Sequence, residues 1–240
     1  MMRKLFYCTA IGAALLAGPV LAQSYEEGAK AYNKRDFHTA LKNWEPLADK
    51  GDVKAQFNVG LLYAQGLGVD LDSKKAVKYW EMAAGQKNPE AAYQIGRVYA
   101  EGRKGIDKNP AEAAKWFRQA GDLGSPAAQA QLGDLYMRGE GVAKSDKDAL
   151  NWYKKAVAQG YTPAMASLGA MYETGKGVPA DKAKAYTYFT LAVAKATGKE
   201  AEAATASRNR VAAALKPEQV KAARESASKC MAAEYKNCAL

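Results

Sequence analysis

The chain has 240 residues, with 35 Lys and Arg against 25 Asp and Glu and a hydrophobic content of 48%. That length and apolar share carry a sizeable core and exclude wholesale disorder. The formal net charge of +10 favours anionic partners, yet no dense Lys/Arg run of the kind that tracks nucleic acid occurs, so nucleic acid is set aside as a partner.

Taken in chain order, the first element is a targeting segment. Arg3 and Lys4 precede an apolar run from Leu5 to Ala17, and Val20-Leu21-Ala22 offers small residues for cleavage, so residues 1–22 read as a signal peptide and Gln23 as the mature start. The run falls short of the about 20 apolar residues of a membrane helix and is interrupted by Gly18-Pro19, which argues against an uncleaved anchor and predicts no membrane span. Cys8 lies inside the run and is misplaced for lipid attachment. The expected location is therefore exported, periplasmic or secreted. Loss of Arg3 and Lys4 leaves 33 basic residues against 25 acidic.

A periodic pattern follows. Gly60, Gly96, Gly133 and Gly169 recur at 36, 37 and 36 residues, and each is followed three positions later by Tyr63, Tyr99, Tyr136 or Tyr172. Ala76, Ala113, Ala149 and Ala185 keep the same intervals, each leading an aromatic pair: Tyr79-Trp80, Trp116-Phe117, Trp152-Tyr153 and Tyr188-Phe189. A period of this length marks stacked supersecondary units, each completed by its neighbours. The 3.6-residue spacing of Ala55, Val59, Leu62 and Tyr63 predicts a first helix in each unit, joined by a Gly-containing turn such as Gly139-Glu140-Gly141-Val142 to a second, antiparallel one. Asp52, Asn88-Pro89, Ser125-Pro126 and Thr162-Pro163 read as the N-terminal caps of the first helices. The mid-helix glycines each cost about 1 kcal/mol relative to Ala, so their recurrence predicts close approach to the aromatic pair.

These signals divide the chain into a partial repeat over 23–52 with a leading helix from about Tyr25 to Lys34, four repeats over 53–88, 89–125, 126–162 and 163–197, and a C-terminal cap over 198–240. The cap reads as two helices, Lys199–Leu215 and Pro217 to about Ala232. It holds Cys230 and Cys238, an even pair in an oxidising compartment and so an expected disulfide, with free thiols or a metal pair as the alternatives. Eight residues on one continuous helix would separate them by about 12 Å, so a bridge requires the chain to turn back between them.

The pattern resembles the Sel-like repeat family, related to the tetratricopeptide repeat, whose unit runs approximately A-x-x-x-L-G-x-x-Y-x-x-G-x-G-V and then D-x-x-K-A-x-x-W-Y-x-K-A-A. The third unit carries it as Ala128, Leu132, Gly133, Tyr136, Gly139, Gly141, Val142, Asp146, Lys147, Ala149, Trp152, Tyr153, Lys155 and Ala156. The resemblance implies an all-α, right-handed superhelical solenoid of antiparallel helix pairs, serving as an adaptor or scaffold for proteins. Some secreted relatives carry a cysteine pair in each repeat, and a few are linked to binding or slow hydrolysis of β-lactams. This chain has no cysteine inside its repeats and departs from that subgroup.

Catalytic signals are sparse. Ser226-Ala227-Ser228-Lys229 fits S-x-x-K, but the S-D-N and K-T-G elements that accompany it are absent. Asp70, Asp72 and Glu81 match three positions of a calcium-loop template, yet Lys74 and Lys75 fall inside it. His38 is the sole histidine and has no nucleophile signature around it. The reading is a non-enzymatic chain with no cofactor and no metal, acting as a monomer. It binds a partner protein along a stripe on the concave side, made by Asn58, Leu61 and Gln65, then Gln94, Arg97 and Glu101, then Gln131, Asp134 and Arg138, then Ser167, Ala170 and Thr174. These residues sit at i, i+3 and i+7 and vary between units while the core columns do not. A solvent-tolerant surface is the alternative for the stripe. An anionic envelope polysaccharide or peptidoglycan is the alternative partner, and a β-lactam-interacting hydrolase a remote one.

Overall fold

The computed structural model describes residues 17–236 and 238, with side chains from Ser24 on. Most of the expected signal peptide lies outside the described residues. Among the described residues the chain forms helices α1 (Ala17–Asn33), α2 (Phe37–Asp49), α3 (Val53–Gln65), α4 (Ser73–Gly85), α5 (Pro89–Glu101), α6 (Pro110–Asp122), α7 (Pro126–Arg138), α8 (Asp146–Val157), α9 (Thr162–Thr174), α10 (Lys182–Lys195), α11 (Gly198–Ala212) and α12 (Pro217–Ala232). The sole extended pairing among the described residues is a bridge between Arg103 and Ile106 in the longer turn of the second repeat. Two ends differ from the sequence reading. α1 already includes Ala17, well ahead of Tyr25. α11 stops at Ala212, before Leu215.

The chain divides into two compact units, one ending at Met82 and one beginning at Ala83. In the first, Trp44 packs on Gly28 and Trp80 on Gly60, leaving no room for a Cβ at either glycine. The indole N–H groups of Trp44 and Trp80 donate to the carbonyls of Tyr25 (3.0 Å) and Phe57 (3.1 Å), so each ring is fixed by shape and by one hydrogen bond. Tyr63 and Tyr79 stack at 6.0 Å and both hydroxyls donate to Glu45. Burial of the ring, and then the Glu45 carboxylate, push the Tyr63 hydroxyl up to about 12.

The second unit repeats the same fit with other rings. A Cβ on Gly96, Gly133 or Gly169 would lie 2.6, 2.7 or 2.7 Å from the ring of Phe117, Tyr153 or Phe189. In every repeat the partner is the second member of the aromatic pair, which explains why a residue so poor in helix propensity returns at this column. One continuous core runs from Ala130 through Tyr153, Leu168, Tyr186 and Phe189 to Val211 and Cys230, so α11 and α12 close the end of the second unit.

Caps set where the helices start. Asp52, Asn88 and Ser125 accept from the N–H three residues on, as expected. The fourth differs: α9 is preceded by Tyr161, without a side-chain cap, and Thr162 is already helical. The interval of 36 from Ser125 lands on Tyr161, and Thr-Pro stands one residue late. The second helices are capped by a column not noticed in the sequence, Asp36, Asp72, Asn109, Ser145 and Asp181, each accepting from the residue three ahead. Gly141 in the turn after α7 has φ +71 and sits against the backbone of Pro110, where a Cβ would clash with the start of α6. This turn therefore ends one helix and packs on the preceding repeat.

At the C-terminus Cys230 and Cys238 are joined, with Cα atoms 5.1 Å apart. The reversal that this requires is made by Glu234 (φ 50) and Tyr235 (φ 64) directly after α12. It sets Tyr235 over the Lys195 ammonium, which donates to the Gly160 carbonyl at 2.8 Å. Reduction should add two hydrogens to the intact mass and, by the loop-closure estimate, remove roughly 2–3 kcal/mol. Intact mass spectrometry and melting with and without reductant check both.

Candidate functional site

The twelve stripe residues lie on the first helices α3, α5, α7 and α9, and within each of the first three strips two are half-buried and the last is exposed. In the fourth, Ser167 is half-buried and Ala170 and Thr174 are exposed. A half-buried polar side chain on a helix face marks a surface already partly enclosed by its neighbours.

In the second unit the strips of α7 and α9 meet. Asp134, Arg138, Ser167, Ala170 and Thr174 line a cleft of about 300 Å³, joined by Met137, Tyr153, Met171 and Lys176. Gln131 does not line it. The floor is set by Tyr153, whose hydroxyl donates to Asp134 at 2.5 Å. Burial, and then the Asp134 carboxylate, raise the Tyr153 hydroxyl, so it stays protonated as a donor across the ordinary range. Ser167, beside this hydroxyl, offsets part of that rise. Asp134 is thus a positioning group for the core ring as well as a cleft residue, which spacing alone could not show.

A second cleft of about 350 Å³ opens on the other side of α9, lined by Ala166, Ala170 and Phe189 and by Ala203, Ser207 and Arg210 of α11. Ala170 belongs to both clefts. Arg210 is held by a two-point contact with Glu173, at 2.9 Å for each bond. The sequence reading treated α11 only as a cap and missed its part in this cleft. The signal was present in Ala203 and Ser207, small residues at i, i+4 facing the alanines of α9.

Several stripe residues are already engaged. Asn58 donates to the Tyr25 hydroxyl (3.0 Å) and Gln94 to Glu90 (3.0 Å). Arg97 pairs with Glu101 at 3.1 Å and Arg138 with Glu140 at 3.0 Å. Neither arginine is a free charge, and exposed pairs of this kind contribute little to stability. The stripe's chemistry is therefore more apolar and more neutral than its composition suggests.

The other sequence candidates stand apart from the clefts. Ser226 donates to the Ala222 carbonyl (3.0 Å), the back-bond of a helical serine. Asp72 caps α4. Among the described residues no group of three or more His, Cys, Asp and Glu is placed to hold a metal ion, and no helix is long and apolar enough to cross a membrane.

Comparison with known proteins gives the same architecture. The chain is similar to a crystal structure of a Sel1 repeat protein from Oxalobacter formigenes, at 28% identity and a TM-score of 0.69, covering 82% of this chain and 88% of that one. It is also similar to c5321, a protective antigen of uropathogenic Escherichia coli with an SLR fold, at 25% identity and a TM-score of 0.55, covering 90% of this chain and 54% of that one. Among curated relatives, a protein named "Putative beta-lactamase HcpC" from Helicobacter pylori strain J99 is 38% identical over 77 residues, 30% of this chain and 27% of its own length. The HcpC of strain 26695 is 36% identical over 72 residues, and the chain spans about a quarter of the length of both. The Sel1 repeat matches five times, over residues 12–52, 53–88, 89–125, 126–161 and 162–196. With repeats over most of its length and the glycine–aromatic fit in each, the chain belongs to the Sel1 repeat family.

Proposed function

We propose that the chain is an exported scaffold that binds a segment of a partner protein in the paired clefts flanking α9. The observation that supports this reading is that five residues chosen for their variability between repeats line one cleft of about 300 Å³. The lining suits a polypeptide. Apolar surface from Met137, Met171 and Ala170 lies beside the donors and acceptors of Ser167, Thr174, Asp134 and Lys176, the mixture of an apolar centre with a few orienting polar groups. The Cys230–Cys238 disulfide supports an oxidising compartment and hence export.

An anionic polymer is less suited to these clefts, because Arg138 and Arg210 are already neutralised by Glu140 and Glu173. A hydrolase reading draws only on the name of HcpC, matched over 30% of this chain. Filling the clefts tests the binding reading. Ala170→Arg places a long side chain where both clefts share a wall, and capture of the partner by the exported chain should fall at least tenfold, about 1.4 kcal/mol, with the melting temperature nearly unchanged. Undiminished capture with an intact fold would move the site away from α9.

A further inference from the structure

In the unit beginning at Ala83, charge is divided between the two sets of helices. The second helices α6, α8, α10 and α12 carry eleven Lys and Arg against six Asp and Glu, and α10 has no acidic residue. The first helices α5, α7, α9 and α11 carry five against six. Among the helices of this unit the surplus of basic residues therefore resides on the second helices.

The cations are also held differently. On the first helices Arg97, Arg138 and Arg210 each meet a carboxylate. On the second helices, cations rest on aromatic rings. Arg118 lies 5.7 Å from the Tyr136 centroid and 5.8 Å from that of Trp152, and its guanidinium donates to the Tyr136 hydroxyl. Lys155 sits over the same Trp152 at 3.7 Å, and Lys184 over Tyr172 at 5.5 Å. A cation–π contact fixes the position of a cation without cancelling its charge. Arg118 and Lys155 converge on one indole, both exposed, with no carboxylate partner among the described residues. Lys154, next to Lys155 along α8, is exposed as well.

We infer that this side of the second helices, centred on Arg118, Lys154 and Lys155, is a docking surface for a linear polyanion such as an acidic polysaccharide. Charge complementarity is the argument for the occupant. A protein interface would have an apolar centre depleted in charge, whereas Leu71, in the other unit, is the exposed large hydrophobic among the described residues. A bilayer surface that drew the chain in would add inserted apolar or aromatic groups, and the rings here are covered by the cations themselves. A polyanion needs only fixed positive charge and outward N–H donors. This surface is separate from the clefts flanking α9, so failure of one reading leaves the other standing.

The test uses the full chain and alginate, a linear polyuronate, with phosphatidylcholine vesicles containing phosphatidylglycerol as the second arm. Alginate should be bound at low ionic strength and released steeply as salt rises. Arg118→Glu combined with Lys154→Glu and Lys155→Glu should weaken it at least tenfold. Because Arg118 also braces Tyr136 and Trp152, Lys154→Gln with Lys155→Gln serves as a milder variant and should still weaken binding severalfold with an unchanged melting temperature. Arg97→Glu with Arg138→Glu should weaken alginate binding far less than the reversal of Arg118, Lys154 and Lys155. No retention of the wild-type chain at low salt, equal binding by the Lys154/Lys155 variant, or tighter binding to the anionic vesicles than to alginate would each overturn the proposal.

Discussion

Gly133→Ala is expected to lower stability by about 1–3 kcal/mol, although Ala is the best helix former and Gly among the poorest. Propensity alone gives a gain of about 1 kcal/mol for this change in a helix interior. Against it stands the ring of Tyr153, 2.7 Å from the place a Cβ would occupy. That ring has little freedom to retreat, being 3% exposed and tied by its hydroxyl to Asp134. Either the ring moves and the 2.5 Å bond to Asp134 is lost, or α7 and α8 part slightly; both exceed the propensity gain. Gly133→Leu should cost several kcal/mol for the same reason. Thermal or denaturant unfolding of the three proteins decides the matter, and an Ala variant more stable than wild type would show that the ring yields freely.

Trp80→Ala should cost more, about 3–5 kcal/mol, since it removes one of the two tryptophans of the first unit's core and leaves a cavity that helices can only partly close. Trp80 is 2% exposed and also loses its bond to the Phe57 carbonyl. Its pairing with Gly60 gives a sharper outcome than the magnitude. Gly60→Ala should destabilise the wild-type chain but stabilise the Trp80→Ala chain, because the space beside the glycine is then empty and propensity alone remains. Additive effects of the two substitutions would mean that the glycine and the indole are not coupled.

The repeat architecture was legible because its signals are redundant. The Gly column, the Tyr column and the aromatic pairs keep one interval, and each reports the same close contact between two helices. The cap at Thr162-Pro163 was misplaced because a good capping dipeptide outweighed the interval, whereas the helix start follows packing of Gly169 on Phe189. The capping column Asp36, Asp72, Asn109, Ser145 and Asp181 was equally visible at its 36- or 37-residue spacing, but capping side chains vary in type and are easily read as ordinary turn residues.

The candidate site was legible only in part. Helical spacing placed Asp134, Arg138, Ser167, Ala170 and Thr174 on the first helices, and these are the residues that line the α7–α9 cleft. Spacing could not reveal that Asn58, Gln94 and Arg97 spend their polar groups on Tyr25, Glu90 and Glu101, since such partners depend on rotamers and on neighbouring helices. Nor could it bring α11 beside α9, because the C-terminal pair lacks the Gly/Tyr register that made the other repeats visible. The division of charge between first and second helices is a property of composition, but it acquires meaning only once Arg118 and Lys155 are seen to share Trp152.

The proposed binding role of the α9 clefts is most directly tested by photo-crosslinking from defined positions in the chain. A benzophenone side chain is placed at Thr174, exposed within the α7–α9 cleft, and in a separate protein at Asn151, exposed on α8. The expected result is an adduct to one partner protein from position 174, abolished by Ala170→Arg, and none to that protein from position 151. The same adduct from position 151, with none from 174, would contradict a binding site beside α9 and place the partner on the second helices instead.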